Sequence, residues 1–477
     1  MTDLLLDPPR ATAARARHTR LGLAAICLAF LMITTDTTIV NVALGPIVAD
    51  LGGSLSGAQW IVSAYTIAFA TFLLSAGALA DRIGSKTALL AGLVVFGIGS
   101  AACAAAPSMG ILVAARAVQG LGAAALMPCS LALITHTFPA GPQRRGALAA
   151  WGGISSIGLA AGPVLGGAIV DGVGWRLIFL VNLPIAALSL AGVLAYVTET
   201  RRHRHPLDLP GQALIIVALG GLSGGFILAG SLGWGAAATV GLLALGILAA
   251  LGFWRVERLV ALPMIPPELF RRRRFRAVVT VGGIYNFCFY GNLFVLSLFF
   301  HEELGLSPFD TGLALLPLTL AIGVIAFTSG RMIAYLGEWR AMISSLGAGA
   351  VGAALLAVFG GDSVALTIVF SLPFALVSLT MQAMTALAME GVPVERIGLA
   401  AGVQNAARQA GGALGVALLG TLLAAGNGLS LHLPIGLIAA LELVAVAITV
   451  AGRRGDRAPD CHRAGDETAS RIAPEPQ

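Results

Sequence analysis

The sequence predicts an all-α polytopic membrane protein with fourteen transmembrane helices, and three observations carry that reading. Of 477 residues, 57% are hydrophobic and only 11% charged, whereas a soluble domain is about one quarter charged. Fourteen apolar segments approach the roughly 20 residues a helix needs to cross the hydrocarbon. The basic residues sit almost entirely on alternate connecting loops and on the two tails. Cations near span ends stay in the cytoplasm, so both tails and every even-numbered loop are assigned inside. That assignment gives an even number of crossings, with the lipid bilayer as the chain's solvent.

The segments follow in order. Segment one, 21–44, has no small-residue cleavage site, so it reads as a retained helix and not a signal peptide. Segments two and three, 58–80 and 87–106, flank a short inner loop with Arg82 and Lys86. The fourth, 109–134, and fifth, 146–170, flank Arg144 and Arg145, and the sixth, 175–198, precedes Arg201, Arg202 and Arg204. Segments seven and eight, 211–231 and 236–255, form a hairpin before the stretch Arg255 to Arg276, which holds seven arginines. The run Arg271 to Arg274 within it reads as a topology anchor for the ninth segment, 277–300. Segments ten and eleven, 309–333 and 341–360, flank Arg331 and Arg340, and twelve and thirteen, 364–389 and 399–424, flank Arg396. Segment fourteen, 431–452, ends at a Pro/Ala-rich tail that reads as disordered, 453–477.

A faint repeat organises these segments. Gly77 to Gly84, closing the second segment, can be laid over Gly330 to Gly337, closing the tenth, although Ala334 stands where Asp81 would be. Residues 21–198 and 277–452 then form two related six-helix bundles, 211–255 are two inserted helices, and 1–20 form a cytoplasmic tail, as expected of transporters built from repeats. The 61 glycines suit helices that must approach closely and move.

The net charge of +6 is spread over the loops of one membrane face, which fits anionic lipid and not nucleic acid. Four of the five cysteines lie in spans and Cys461 lies in the tail, with no metal-binding spacing. Gly84-Ser85-Lys86-Thr87 lacks the spacing of a phosphate loop, so ATP drive is not expected. No constellation of nucleophile, base and oxyanion donors points to an enzyme.

Two acids lie deep in the spans, Asp36 and Glu442. A charge at the bilayer centre costs on the order of 2.5–3.5 kcal/mol even on the lenient insertion scale, so both are functional candidates. Asp36 lies ~12 Å from the outer end of its helix and Arg116 ~10 Å into its own, at a rise of ~1.5 Å per residue. At one depth the two can neutralise each other, either as a structural pair or as a device in which proton and substrate compete for the carboxylate. Glu442 reads as a hydrogen-bonded carboxyl in a peripheral helix. Arg408 either bonds between helices or meets substrate, and Arg176, after Trp175, reads as an interface anchor. Tyr285, Asn286, Tyr290 and Asn292 mix apolar and polar surface on a candidate cavity wall.

The local motifs resemble the major facilitator superfamily, specifically its fourteen-helix drug:proton antiporter family of EmrB/QacA type, over nearly all of residues 20–450. The stretch Asp36 to Leu44 is similar to the first-helix motif, with Gly45 where a proline is usual and Pro46 one place later. Gly77, Asp81, Arg82, Gly84 and Lys86 match the conformational-switch motif, with Ser85 in place of a basic residue. Arg116 to Gly122 resembles the proton-coupling motif. Gly158, Gly162, Pro163, Gly166 and Gly167 lie in a stretch similar to the antiporter motif, a proline kink beside a glycine face on which a helix can slide. Leu304 to Pro308 and Asn405 to Gly412 also match, and His301 stands where glutamine is usual, either passive or pH-responsive.

The resemblance implies proton-driven export of an amphipathic drug-like compound through a monomer that needs no cofactor, with Asp36 and Arg116 in proton coupling. The substrate would meet Asn41, Gln119, Tyr285, Asn286, Tyr290, Asn405 and Arg408. A lone deep acid in the first bundle fits a neutral or singly charged substrate. The alternatives are a proton symporter importing a metabolite and a non-transporting sensor of the same fold. Lys86 is the only lysine, and with the abundant alanine and glycine this hints at a high-GC bacterium, where self-resistance to an antibiotic is a natural role.

Overall fold

The computed structural model describes residues 9–139, 141–200, 202, 208–260, 263–265, 267–361, 363–390, 392, 397–424 and 429–456, with side chains described only between residues 17 and 454. The side chains of Arg10 and Arg15, and all of Arg201, Arg204, Arg396, Arg457, Cys461, Arg463 and Arg471, lie outside the described residues, as does most of the 453–477 tail.

Fourteen helical spans are long and apolar enough to cross a membrane: Arg17–Leu51 (α1), Leu55–Ile83 (α2), Ser85–Ala104 (α3), Met109–Thr137 (α4), Pro142–Gly172 (α5), Leu177–Tyr196 (α6), Leu209–Leu232 (α7), Ala237–Leu259 (α8), Arg273–Glu303 (α9), Pro308–Leu336 (α10), Glu338–Phe359 (α11), Val364–Met389 (α12), Gly398–Leu423 (α13) and His432–Arg454 (α14). Each predicted segment falls on one of them. Most of the helices outrun their apolar segments, because a helix continues into the interfacial zone until a cap or turn stops it, although α6 is shorter than the segment 175–198. Thus α1 passes residue 44 through a 3-10 turn, Asn41–Ala43, into Leu44–Leu51, and stops at Gly52, a left-handed cap.

Helices α1–α6 and α9–α14 form two bundles with corresponding packing. In the first, α1 packs on α5 and α6, and α4 on α2 and α3; in the second, α9 packs on α13 and α14, and α12 on α10 and α11. Glycines set the closest approaches. The face of α5 carrying Gly158, Gly162 and Gly166 meets Thr34, Thr38 and Ile39 of α1, while Gly411 and Gly415 of α13 lie against the backbone carbonyls of Gly283 and Phe287 in α9. The helix pairs α5–α10 and α2–α13 join the bundles. Both switch-like loops turn on a glycine with positive φ, Gly84 at 99° and Gly337 at 76°.

The inserted hairpin α7–α8 sits beside this seam. Its first helix touches both bundles: the Thr421 hydroxyl donates to Phe226 O at 2.8 Å, and Gly224 faces the Trp60 ring. At its base lies a feature that the sequence pattern does not reveal. The carboxyls of Asp208 and Glu257 are buried face to face, with Asp208 accepting from Gly211 N and Glu257 from Ile265 N, both at 2.9 Å. The hydropathy pattern puts Glu257 in a hydrophilic loop, but α8 runs on to Leu259 and carries it inside.

The two ends of the molecule differ. At the end with few arginines the bundles are in contact: Ser297 donates to Asn41 O at 2.8 Å, the Phe309 amide donates to Asp171 at 3.0 Å, and Gly45 packs on the His301 ring. Toward the basic end, among the described residues, nothing lies within 4 Å of where a side chain would begin at Gly146, Gly152 and Gly153 of α5 or Gly330 of α10, although α2 and α13 still meet through Leu74 and Gly402.

Candidate functional site

The structure brings Asp36 and Arg116 together. Arg116 Nη1 lies 2.6 Å from Asp36 Oδ2, and the two side chains, Asp36 and Arg116, are 0% and 1% exposed. The pair is enclosed by further polar groups, so that five helices of the first bundle contribute to one network. Asn182 Nδ2 of α6 donates to Asp36 Oδ1 at 2.9 Å, and Gln119 Nε2 reaches the same oxygen at 3.3 Å. Arg116 also donates to Ile61 O at 3.2 Å and to Gln119 Oε1 at 2.8 Å, and its guanidinium lies 4.3 Å from the centre of the Tyr65 ring. Gln119 in turn donates to Ser100 Oγ at 2.7 Å and accepts from the Cys103 thiol at 3.3 Å.

Such burial strengthens electrostatic attraction, and it makes loss of either partner costly, about 3–5 kcal/mol, because an uncompensated charge is left behind. Each charge here has more than one partner, which is how a buried ion pair offsets its desolvation. Gln119 therefore sits inside the ion-pair network. It lies three residues after Arg116 on α4, so both point the same way. Asn41 is bonded to its own helix and across the seam: its amide donates back to Thr37 O at 3.1 Å and Thr38 O at 3.3 Å, and its own carbonyl joins the bundles at the closed end. Sequence reasoning misses Asn182, Ser100 and Tyr65. The one available signal is a lone asparagine in the apolar run of α6.

The second bundle presents a different surface. Arg408 of α13 is half-buried and, among the described residues, forms no ion pair. Its guanidinium donates to Asn405 Oδ1 at 3.1 Å and Asn286 Oδ1 at 3.4 Å, contacts Met381 Sδ at 3.4 Å, and lies 5.7 Å from the Tyr285 ring centre. Tyr285 and Phe289 are parallel with centres 6.1 Å apart, and Tyr290 stands edge-on to Phe289 at 5.2 Å. The Tyr290 hydroxyl faces Thr37 of α1 and Gln409 of α13, so this aromatic wall reaches the seam beside the first bundle. Asn286 Nδ2 and Gln409 Oε1 are buried there without hydrogen-bond partners among the described residues.

Glu442 is 0% exposed and faces the Cys288 thiol and Gly349. His301 is held by its own turn, with Nδ1 2.8 Å from Leu306 O. Arg176 pairs with Asp50 at 2.7 Å at the exposed, arginine-poor end.

The switch-like loop is anchored by an acid beyond α6. Glu199 accepts from Lys86 N at 2.8 Å, Thr87 N at 3.0 Å and the Thr87 hydroxyl at 2.6 Å, capping the start of α3. A side chain at Gly84 would overlap that carboxylate, and its φ of 99° also demands glycine. Burial pushes the Glu199 carboxyl up, but the bonds from Thr87, Lys86 and Thr200 outweigh it and hold it below the usual carboxylate value. Lys86 Nζ donates to Leu194 O at 3.1 Å. Arg82 is exposed and Gly77 meets nothing within 4 Å. In the antiporter-like stretch, Gly167 packs on Pro308 and Phe309 of α10, and Gly312 of α10 packs on the Pro163 carbonyl.

Comparison with known proteins places this geometry. The family model described as Major Facilitator Superfamily matches residues 26–416. The "Multidrug resistance protein Stp" of Mycobacterium tuberculosis is 38% identical over 85% of this chain and 76% of its own. The "Methylenomycin A resistance protein" of Streptomyces coelicolor is 36% identical over 84% of each chain, and the "Tetracenomycin C resistance and export protein" of Streptomyces glaucescens is 34% identical over 84% of this chain and 75% of its own. Among solved structures, a POT family transporter superposes with a TM-score of 0.68 at 15% identity, covering 90% of this chain and 94% of its own.

Proposed function

Because this chain belongs to the Major Facilitator Superfamily, we propose that it exports a drug-like or antibiotic molecule across a bacterial membrane in exchange for protons. Resistance and export proteins at 34–38% identity support the export direction and the substrate class. The observation that carries the proton coupling is the Asp36–Arg116 pair, a carboxylate and a guanidinium shut inside one bundle with almost no exposed surface.

In this reading the basic end is cytoplasmic, as the loop arginines require. The contacts at the arginine-poor end and the open space beside the basic-end glycines of α5 and α10 then support an inward-facing arrangement. A proton on Asp36 removes half of the ion pair, so Arg116 loses its counter-charge and the packing of α1 on α4 is biased toward a second state. Return of the proton to the cytoplasm restores the pair seen here. The glycine faces of α5 let α1 and α10 shift without rotamer strain. The proton gradient supplies the energy, and a single chain without a cofactor suffices.

The substrate site lies at the seam, on the wall of Tyr285, Asn286, Tyr290, Asn405 and Arg408. Arg408 has no acid to neutralise it among the described residues, and Asp36 is occupied by Arg116. That distribution favours a neutral or anionic molecule rich in acceptors, with an aromatic face to stack on Tyr290 and Phe289, over a cation.

The test uses everted vesicles loaded with a pH-sensitive dye under an imposed pH gradient, with proton release followed as antibiotics and dyes are added. Release by the wild type and none by Asp36→Asn is the expected result. Equal release by both would overturn the role of Asp36, and accumulation of the compound in intact cells would replace export by import.

A further inference from the structure

Away from the seam, where the inserted hairpin meets the start of α9, a cavity of about 410 Å³ opens at the basic end of the molecule. We infer that it binds the headgroup of an anionic phospholipid. Three arginines line it, Arg258, Arg271 and Arg276, against one carboxylate, Glu268. Its floor is aromatic: Arg258 lies 4.9 Å from the Trp254 ring centre, and Trp254 meets Phe270 at a right angle with centres 5.8 Å apart. Arg276 stands in the first turn of α9, where the positive end of the helix dipole adds to the attraction for an anion.

The apolar surface leading to the cavity argues for a lipid over a free phosphate. Ile247, Leu251, Trp254 and Arg258 follow one another at helical spacing along one face of α8. The first two are 52% and 62% exposed and Trp254 is 36% exposed. This strip therefore runs from the lipid-facing middle of α8, through an interfacial tryptophan, to a guanidinium at the level of the basic loops. Its order of acyl chain, interface and charge is that of a phospholipid lying against the helix, and basic pockets between helices at the membrane face take such headgroups. A soluble phosphate would use the arginines and leave the strip without purpose. A mere topology anchor would need the charges but no hollow or aromatic floor. The site owes nothing to the export reading.

The full-length protein, reconstituted in phosphatidylcholine vesicles containing either brominated phosphatidylglycerol or brominated phosphatidylcholine, tests this by tryptophan quenching. Trp254→Phe isolates the signal from the other five tryptophans. We expect stronger quenching by brominated phosphatidylglycerol, an excess that Trp254→Phe removes. Each of Arg258→Ala, Arg271→Ala and Arg276→Ala should lower the preference roughly fivefold, the weight of one basic residue near an anionic surface. Equal quenching by the two lipids would overturn the proposal. Loss of the excess on adding inorganic phosphate would also overturn it, in favour of a free-anion site.

Discussion

The two bundles share a packing plan and divide the charge between them unequally. In the first, Asp36 and Arg116 are fully buried and paired; in the second, Arg408 is half-buried among asparagines, a methionine and a tyrosine. The difference teaches that related backbones can hold a charge in opposite ways, neutralised in one bundle and, among the described residues, left without an acid in the other. On the proposed function, the buried pair serves coupling and the Arg408 guanidinium on its aromatic wall serves recognition.

The largest expected effect breaks the first bundle. Arg116→Ala should abolish coupled transport and also destabilise the protein by about 3–5 kcal/mol, since Asp36 is left buried and unpaired; thermal unfolding in detergent reads the second effect. Asp36→Asn should abolish coupling too. Wild-type proton release from either variant would remove the contrast between the bundles.

Arg408→Ala sharpens the contrast from the other side. Loss of a charged contact of about 1.5–3 kcal/mol should weaken substrate binding roughly 10- to 150-fold. The unfolding temperature should move far less than in Arg116→Ala, because no ion pair is broken. A stability loss as large as that of Arg116→Ala would mean Arg408 is structural.

A smaller effect separates the glycine faces. Gly411→Ala drives a methyl into the Gly283 backbone carbonyl, whereas Gly162→Ala meets the Thr38 hydroxyl, a side chain that can turn away. Overpacking costs about 1–3 kcal/mol, and Gly411→Ala should stand at the upper end. Comparison of unfolding midpoints checks the order.

The smallest effect lies at the loop between α2 and α3. The Glu199 carboxyl is held below its usual value, so its anchoring contribution is complete above the unfolded-state value and is lost as pH falls through the folded-state value. Amide exchange at Lys86 and Thr87, corrected for intrinsic rates, should therefore rise on acidification, and Glu199→Gln should flatten that dependence.

Much of this architecture is legible in the sequence. Fourteen apolar segments, loop arginines on one side and the rarity of deep acids all follow from the bilayer's cost for bare backbone and charge, which acts on each segment by itself. Asp36 and Arg116 stand out for that reason, and their similar depth follows from the helical rise alone. Asn182, Ser100 and Tyr65 do not stand out, because a neutral polar residue in a span is tolerated and leaves no mark until its partner is known. The partners of Gln119 and Asn41 are not legible either, because sequence gives depth but not azimuth. The same limit puts Glu257 in a loop, when α8 continues past its apolar stretch and turns that carboxyl toward Asp208.

By itself, then, the sequence determined the fold class, the number of crossings, the loops that carry the charge and the acids that must have a purpose, all of them local consequences of hydrophobicity and charge. Only the tertiary structure decided which side chains meet across α1, α4 and α6, which end of the molecule is closed, and that Arg408 faces asparagines and not an acid. Those depend on the rotation of each helix about its axis and on contacts between residues as far apart as Asp36 and Asn182, which no local pattern encodes.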